Sequence, residues 1–185
     1  MKKILFFLLC SPVFLFAQSD TILTIPSKDE PADIFSAGLG FGQDLGGIGA
    51  NLTYYATKRL GFQGGLGYAM AGIGYNAGVK YRFLKGANLT RRTPFFTAMY
   101  GYNAAIKVKN LSEKNKLFYG PSLGFGFDSK ALGTSHTYWS FAIYYPFRSN
   151  EVSNYMEDLK KNYGVVFNND LFPITLSISY KMIIK

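Results

Sequence analysis

Small residues alternate with large apolar residues along much of this chain. Alternation of this kind is typical of a β-strand with two different faces, because successive side chains point to opposite sides of a strand. The segment 73–83 shows it most clearly. One face of that segment has Ile73, Tyr75, Ala77, Val79, Tyr81 and Phe83, and the other has Gly74, Asn76, Gly78, Lys80 and Arg82.

Eight segments share this alternation, and turn residues separate them. The predicted strands are 33–42, 47–54, 60–68, 73–83, 96–106, 117–127, 138–145 and 174–184. A tight turn is expected at 43–46 and another at Lys58-Arg59. Residues 163–167 are also compatible with a strand, so a count of ten remains open beside the count of eight.

One stretch has a different period. Between 149 and 163 the apolar residues recur at the spacing of one helical face; they are Val152, Tyr155, Met156, Leu159 and Tyr163. Ser149 or Asn150 can cap the start and Gly164 the end. We therefore predict a short amphipathic helix in a long loop, 148–172.

The composition of the two faces decides which of them points outward. A soluble barrel turns its large apolar face inward and presents charged residues to water. Here the second face is mainly Gly, Ser, Thr, Asn and Ala, and all eleven acidic residues are expected at or outside strand ends. A small, uncharged face suits the interior of a narrow barrel, and a bulky apolar face suits lipid. Lipid tolerates no open sheet edge, so the strands must close.

The first residues predict export. Lys2 and Lys3 precede an apolar run from Ile4 to Phe16, and Ala17 provides a small residue for a cleavage site after Ala17 or Gln18. This order is typical of a secretory signal peptide. The predicted organisation is a signal peptide at 1–17, a periplasmic lead-in at 18–32 and the barrel at 33–185. Cys10, the chain's single cysteine, lies in the leader, so the mature chain has no thiol. Removal of residues 1–17 takes away two lysines and no acid, so the formal charge falls from +9 to +7. For an exported chain this positive charge favours anionic lipid over nucleic acid as a partner.

With this leader, eight alternating segments and an alternating last strand from Ile174 to Ile184, the chain resembles small outer-membrane barrels of the OmpA-transmembrane and OmpX type. The Phe-Ala-Gln end of the leader resembles that of Bacteroidota exports. The resemblance implies an all-β fold: a closed antiparallel up-and-down transmembrane β-barrel in the outer membrane. Such barrels often end in Phe, whereas this chain ends in Ile-Ile-Lys.

Candidate chemistry is sparse. Gly72-Ile-Gly74-Tyr-Asn-Ala77 fits a dinucleotide fingerprint by letter, but it opens a predicted strand where that site needs a helix. His136, the single histidine, has Ser135 and Ser140 nearby, and Asp128 is the nearest acid; we interpret it as a turn residue. Lys80, Arg82, Lys107 and Lys181 fall near strand ends on the inner face. We expect these side chains to be solvated or to reach lipid phosphates. The alternative is that they line an opening of the barrel and attract anions to it.

The sequence therefore predicts a non-enzymatic barrel with no catalytic residue, metal or cofactor. A structural, adhesion or envelope-assembly role is expected. The predicted partners are outer-membrane lipid and lipopolysaccharide, and other envelope proteins through the 148–172 loop, with no nucleic acid. Three alternatives remain: a narrow OmpW-like conduit or binding site for small hydrophobic ligands, a lipid-modifying enzyme, and a soluble periplasmic ligand-binding barrel.

Overall fold

A computed structural model describes residues 34–57, 59–83, 92–109, 111–130, 136–167 and 171–184. The predicted signal peptide, Cys10 and the lead-in lie outside these residues, as do Lys58 and Ser135. Eight strands pair in chain order and the last returns to the first, so the sheet is a closed barrel in which every neighbouring pair is antiparallel. The strands are β1 (Phe35–Gly42), β2 (Gly47–Tyr55), β3 (Leu60–Tyr68), β4 (Ile73–Arg82), β5 (Thr93–Ile106), β6 (Lys116–Lys130), β7 (Thr137–Pro146) and β8 (Thr175–Ile184).

The predicted fold class and the count of eight strands are confirmed, since residues 164–167 add no strand. We call the end of the barrel where β1 begins and β8 ends the terminus end. The opposite end is the helix end, because α1 (Asn150–Tyr163) follows β7 there. Ser149 occupies the N-cap position, and Gly164 ends the helix in the left-handed conformation at φ 62°, as the sequence predicts.

The large apolar side chains point outward. Leu39, Ile48 and Ile73 are 71%, 72% and 68% exposed. The inner face of the same strands is buried, as at Ser36, Asn51 and Asn76. The predicted assignment of the two faces is therefore confirmed for most of the barrel.

A β-bulge in β5 changes that assignment locally. The register between β5 and β6 shifts between Tyr102 and Ala104. An extra residue in one strand reverses the faces beyond it. The alternation within the predicted strand 96–106 puts Ala104 and Ile106 on the same face as Phe96 and Tyr100, which is the outer face. This assignment is wrong, because Ala104 and Ile106 are only 4% and 3% exposed and pack in an inner apolar cluster.

The predicted turn at 43–46 exists, but it does not lie on the surface. Gln43–Leu45 form a single 3-10 turn whose side chains are all buried, with Leu45 fully inaccessible. This infolded turn contacts β1 to β5 and β8. Glycines on the inner wall make room for it, because a Cβ at Gly65 would overlap the carbonyl oxygen of Asp44, and one at Gly67 would lie 2.5 Å from that of Leu45.

Helix α1 packs on the β5–β6 hairpin at the helix end. Val152 and Leu159 are buried against Ile106, Val108 and Phe118. Tyr155 donates a hydrogen bond to the carbonyl oxygen of Lys114 at 2.9 Å. Because Phe118 lies on the inward face of β6, the helix covers the inner side of this hairpin. Tyr163, predicted on the apolar face, is 45% exposed. Among the described residues, no helix combines the length and apolar character needed to cross a membrane.

Candidate functional site: the charged interior of the barrel

A cluster of charged side chains lies inside the barrel near the terminus end. Lys80 Nζ lies 2.8 Å from Asp128 Oδ1, and Arg82 contacts Asp128 Oδ2 through Nη2 at 2.9 Å and Nε at 3.2 Å. All three residues are 2% exposed or less. Lys80 and Arg82 reach this position because they share the inner face of β4, and Asp128 lies on the inner face of β6 two strands away.

Aromatic rings surround the two cations. Arg82 Cζ lies 3.8 Å from the centre of the Tyr55 ring and 5.9 Å from that of Tyr138. Lys80 Nζ lies 3.6 Å from the centre of the Phe95 ring. Desolvated cation–π contacts of this kind stabilise a cation by about 2 kcal/mol each. The rings exclude water and fix the directions of both side chains.

Lys181 joins the cluster from β8. Its Nζ donates to Thr53 Oγ1 on β2 at 2.8 Å, across the intervening β1. Gly38 of β1 makes this crossing possible, because a Cβ there would lie 2.7 Å from Lys181 Cγ. Ser36 of β1 shares a 2.8 Å hydrogen bond with Tyr138 of β7, across β8. These two bonds therefore span the β1–β8 seam in opposite directions.

A second polar network holds the infolded turn at the helix end. Gln43 Nε2 donates to Ser122 Oγ at 2.6 Å and to the Tyr102 carbonyl at 3.3 Å. Its other groups accept hydrogen bonds from Thr175 Oγ1 and Asn76 Nδ2. Asn51 Nδ2 donates to Asp44 Oδ2 at 2.9 Å. The turn is thus bonded to strands on several sides of the barrel and occupies the space that the inner glycines leave.

The structure corrects the expectation for three of the four basic residues. Lys80, Arg82 and Lys181 are neither solvated nor directed to lipid but buried in the interior, and Lys107 alone of the four is exposed. The expectation that every acidic residue lies at or outside a strand end is wrong for Asp128, which lies within β6. Asp44 lies outside the strands, as expected, but it is buried in the infolded turn. Asp128 lies on the same inner face of β6 as Gly124 and Gly126. The predicted sixth strand ends at residue 127, one residue before Asp128, and therefore does not include it.

The inner face is also less uniformly small than predicted. Tyr138, Tyr144 and Phe95 are at most 1% exposed and point inward. Several of the glycines opposite are matched to these rings: a Cβ at Gly124 would lie 2.5 Å from Tyr144, and one at Gly126 would lie 2.7 Å from Phe95. Small and large residues thus complement each other across the interior.

The candidate catalytic residues are not brought together. His136 is exposed at the terminus end, where its carbonyl oxygen accepts a hydrogen bond from Ile183. Ser140 is buried inside, four residues along β7, a rise of about 13 Å. Asp128 is bonded to Lys80 and Arg82. Gly72 is followed directly by strand β4, where the dinucleotide fingerprint needs a helix. Within the described ranges, no group of three or more His, Cys, Asp or Glu could hold a metal ion.

No protein-family model matches this chain, and no curated protein matches it in sequence. The class of molecule therefore rests on its own geometry: a closed eight-stranded antiparallel barrel with an apolar outer wall and a charged, packed interior.

Proposed function

We propose that this chain is an exported outer-membrane barrel with a structural, adhesion or envelope-assembly role. The observation that carries the proposal is the outer wall, where large apolar side chains from every strand are exposed while Lys80, Arg82, Asp128 and Lys181 lie inside. An apolar surface that includes side chains from all eight strands is unfavourable in water, where monomeric proteins rarely expose contiguous patches larger than a few hundred Å². Hydrocarbon lipid is the solvent that suits it.

Aromatic residues are distributed along the outer wall as lipid interfaces require. Near the terminus end lie Tyr54, Tyr81, Trp139 and Tyr180, with the rings of Trp139 and Tyr180 5.1 Å apart. Near the helix end lie Tyr68, Tyr75, Tyr119 and Tyr145, and Tyr75 and Tyr119 stack at 4.8 Å. Between the two levels the wall is mainly aliphatic and Phe-rich, with Tyr100 at the middle of β5 as an exception. An apolar groove of about 440 Å³ lies across β6, β7 and β8.

The packed interior favours a structural role over a channel. Leu45, Tyr138 and Tyr144 are each at most 1% exposed, and the infolded turn fills the helix end. The partners we propose are outer-membrane lipid and lipopolysaccharide around the wall, and other envelope proteins at α1 and the 148–172 loop. A narrow conduit or binding site for small hydrophobic ligands is the second candidate, and the observation on its side is the apolar groove across β6, β7 and β8.

The test is a comparison of boiled and unboiled outer-membrane fractions on a gel, made on the wild type and two lysine variants. We expect a compact, heat-sensitive band for the wild type. Ile143→Lys places a charge on the outer wall midway along β7, where Ile143 is 53% exposed. In lipid this costs about 2–4 kcal/mol, so the folded band should weaken, whereas a water-exposed wall would tolerate it.

Tyr163→Lys is the matched control, because Tyr163 is 45% exposed but lies on α1, outside the barrel wall. It should leave the folded band unchanged. Recovery of the wild type in the soluble periplasm, with Ile143→Lys as stable as wild type, would contradict the membrane proposal and favour the soluble ligand-binding barrel.

A further inference from the structure

A cleft of about 330 Å³ opens at the helix end, where β7 and β8 separate. The last residue pair between these two strands is Tyr144–Thr175, whereas β7 continues beside β6 as far as Pro146. The cleft lies between this continuing end of β7 and the residues that lead into β8. One charged side chain stands among apolar and aromatic ones in its lining, which consists of Tyr145, Pro146, Phe147, Arg148, Leu171 and Pro173.

The guanidinium group of Arg148 has N–H groups that bond to nothing in the described part of the chain. Its Nε donates to the carbonyl oxygen of Asn103 at 3.4 Å, and Asn103 Nδ2 donates to the carbonyl oxygen of Phe147 at 3.1 Å. Among the described residues, the groups that act electrostatically on Arg148 are the hydroxyls of Tyr102 and Tyr145, and neither is a carboxylate. The two Nη atoms therefore present a fork of donors that matches the oxygens of a phosphate group.

The apolar groove of the outer wall lies next to this cleft on the same two strands. Ile143 and Leu176 line the groove, and they form the residue pair that comes directly before Tyr144–Thr175. Two rows of outward side chains border the groove: Phe125, Ile143 and Leu176 on the side of the cleft, and Phe127, Phe141 and Ile178 on the other side. An apolar groove and a site with one cation are thus neighbours at one face of the barrel.

The distance between the cleft and the groove suits a lipid molecule. The N–H of Phe147 still donates to the carbonyl oxygen of Pro121 at 2.9 Å, so the chain stays extended up to Arg148. Arg148 lies five residues beyond Ile143, which is about 17 Å along an extended strand and about 13 Å along the barrel axis at a strand tilt of about 40°. Half of the hydrocarbon layer is about 15 Å thick. A lipid whose phosphate lies at Arg148 therefore has its acyl chains at the level of the groove.

We propose that the cleft and the groove together bind one membrane lipid with an anionic phosphate head group. Arg148 binds the phosphate through its Nη atoms, and one acyl chain lies in the groove. Tyr145 and Phe147, whose rings are 5.2 Å apart, lie at the level where the head group meets the hydrocarbon, which aromatic residues favour. The inference rests on the proposed membrane location and adds to it a binding site for a single lipid at one face of the wall.

The experiment measures the binding of dioleoyl phosphatidylglycerol to the purified, folded barrel in detergent micelles by native mass spectrometry. We expect one tightly bound molecule, and weaker binding of dioleoyl phosphatidylcholine, whose head group has no net charge. Arg148→Gln should weaken the binding of phosphatidylglycerol about tenfold, the effect of losing a hydrogen bond between charged groups. Lys161→Gln is the matched control, because Lys161 is an exposed lysine of α1 that pairs with Glu157. It should bind the lipid as the wild type does.

A second measurement locates the acyl chain. Phosphatidylglycerol with a photoreactive diazirine in the middle of one acyl chain should label residues 125–127, 141–143 and 176–178, and Arg148→Gln should reduce this labelling. Glycerol phosphate, which has the head-group phosphate without acyl chains, should not displace the lipid. The heat-dependent gel shift checks that each variant is folded.

Three results would overturn the lipid site: equal binding of phosphatidylglycerol by the wild type and Arg148→Gln, labelling spread evenly over the eight strands, or displacement by glycerol phosphate, which indicates a site for free anions. If the wild type still shows the heat-dependent shift in these cases, only the lipid site is refuted and the membrane barrel stands. A wild type without that shift refutes the membrane location and the lipid site together.

Discussion

Asp128 lies 2.8 Å from Lys80 and 2.9 Å from Arg82, and water reaches none of the three. Such an arrangement differs sharply from an ion pair on the surface. Taking one partner from a buried pair leaves an uncompensated charge in a medium of low dielectric constant, whereas an exposed pair is replaced by hydration at little cost. The barrel contains an example of each kind.

At the residue scale, Asp128→Asn should destabilise the barrel by about 3–5 kcal/mol, since Lys80 and Arg82 then remain buried without their carboxylate. The measurement is the urea midpoint of unfolding in detergent. Glu151→Gln is the control, because it removes the exposed pair between Glu151 and Lys116, also at 2.8 Å. That variant should change the free energy of unfolding by less than about 1 kcal/mol. Equal effects would mean that the buried cluster contributes no more than a surface pair.

Two adjacent glycines of β3 provide a second test at this scale. Gly65 faces inward, where a Cβ would overlap the backbone of the infolded turn; Gly64 faces outward, where the nearest atom to a Cβ would be 3.8 Å away. Gly65→Ala should destabilise by about 1–3 kcal/mol through overpacking. Gly64→Ala should be neutral or slightly stabilising, because alanine suits a strand interior better than glycine. A Gly65→Ala barrel as stable as wild type would show that the turn moves freely.

At the scale of elements, α1 is a separate layer on the β5–β6 hairpin and not part of the barrel wall. The side chain of Leu159, a residue of α1, is fully buried between the helix and the hairpin. Leu159→Ala should cost about 2–5 kcal/mol at that contact, which loosens the helix while the barrel stays closed. Limited proteolysis should cut the 148–172 loop faster, and the heat-dependent gel shift should persist. Asp158→Ala, on the exposed side of α1, is the control and should leave the cleavage rate unchanged.

The strands could be predicted because large apolar residues recur at every second position along them. Where the period continued unbroken, as from Ile73 to Arg82, both the strand and its two faces could be predicted. The bulge at Tyr102–Ala104 could not, because an extra residue is invisible in a pattern in which Ala104 and Ile106 are apolar in either register. The burial of Gln43 and Asp44 could not be predicted either, since polar residues beside glycine are also typical of a surface turn.

The candidate site was predicted in part. The sequence placed Lys80, Arg82 and Lys181 on the inner face, which is confirmed, but their solvated state was wrong because a strand pattern does not show which residues meet across the interior. Asp128 is 46 residues from Arg82 in sequence and two strands away in space. Barrel closure joins them, and only the three-dimensional register shows that a carboxylate is within reach of both cations.

At the scale of the whole molecule, the packed interior predicts low permeability. Liposomes carrying the wild-type barrel should not swell faster than empty liposomes in a monosaccharide solution, because the infolded turn and the inward tyrosines leave no wide aqueous path through the described part of the barrel. A large-pore porin in the same assay serves as the positive control. Swelling at a rate close to that of the porin would contradict the structural role and favour the conduit.

The seam between β1 and β8 has a consequence for the order of the chain. Phe35 and Ile184 are register partners, so the barrel begins and ends at the same place on its rim. Joining these ends by a short linker and opening the chain in the turn between Tyr55 and Leu60 would leave the strand pairs intact. Such a circular permutant should close into the same barrel. Every strand of the closed sheet has two neighbouring strands, so none of them is structurally the first. The gene therefore sets where the chain begins and ends, and the fold does not require that position.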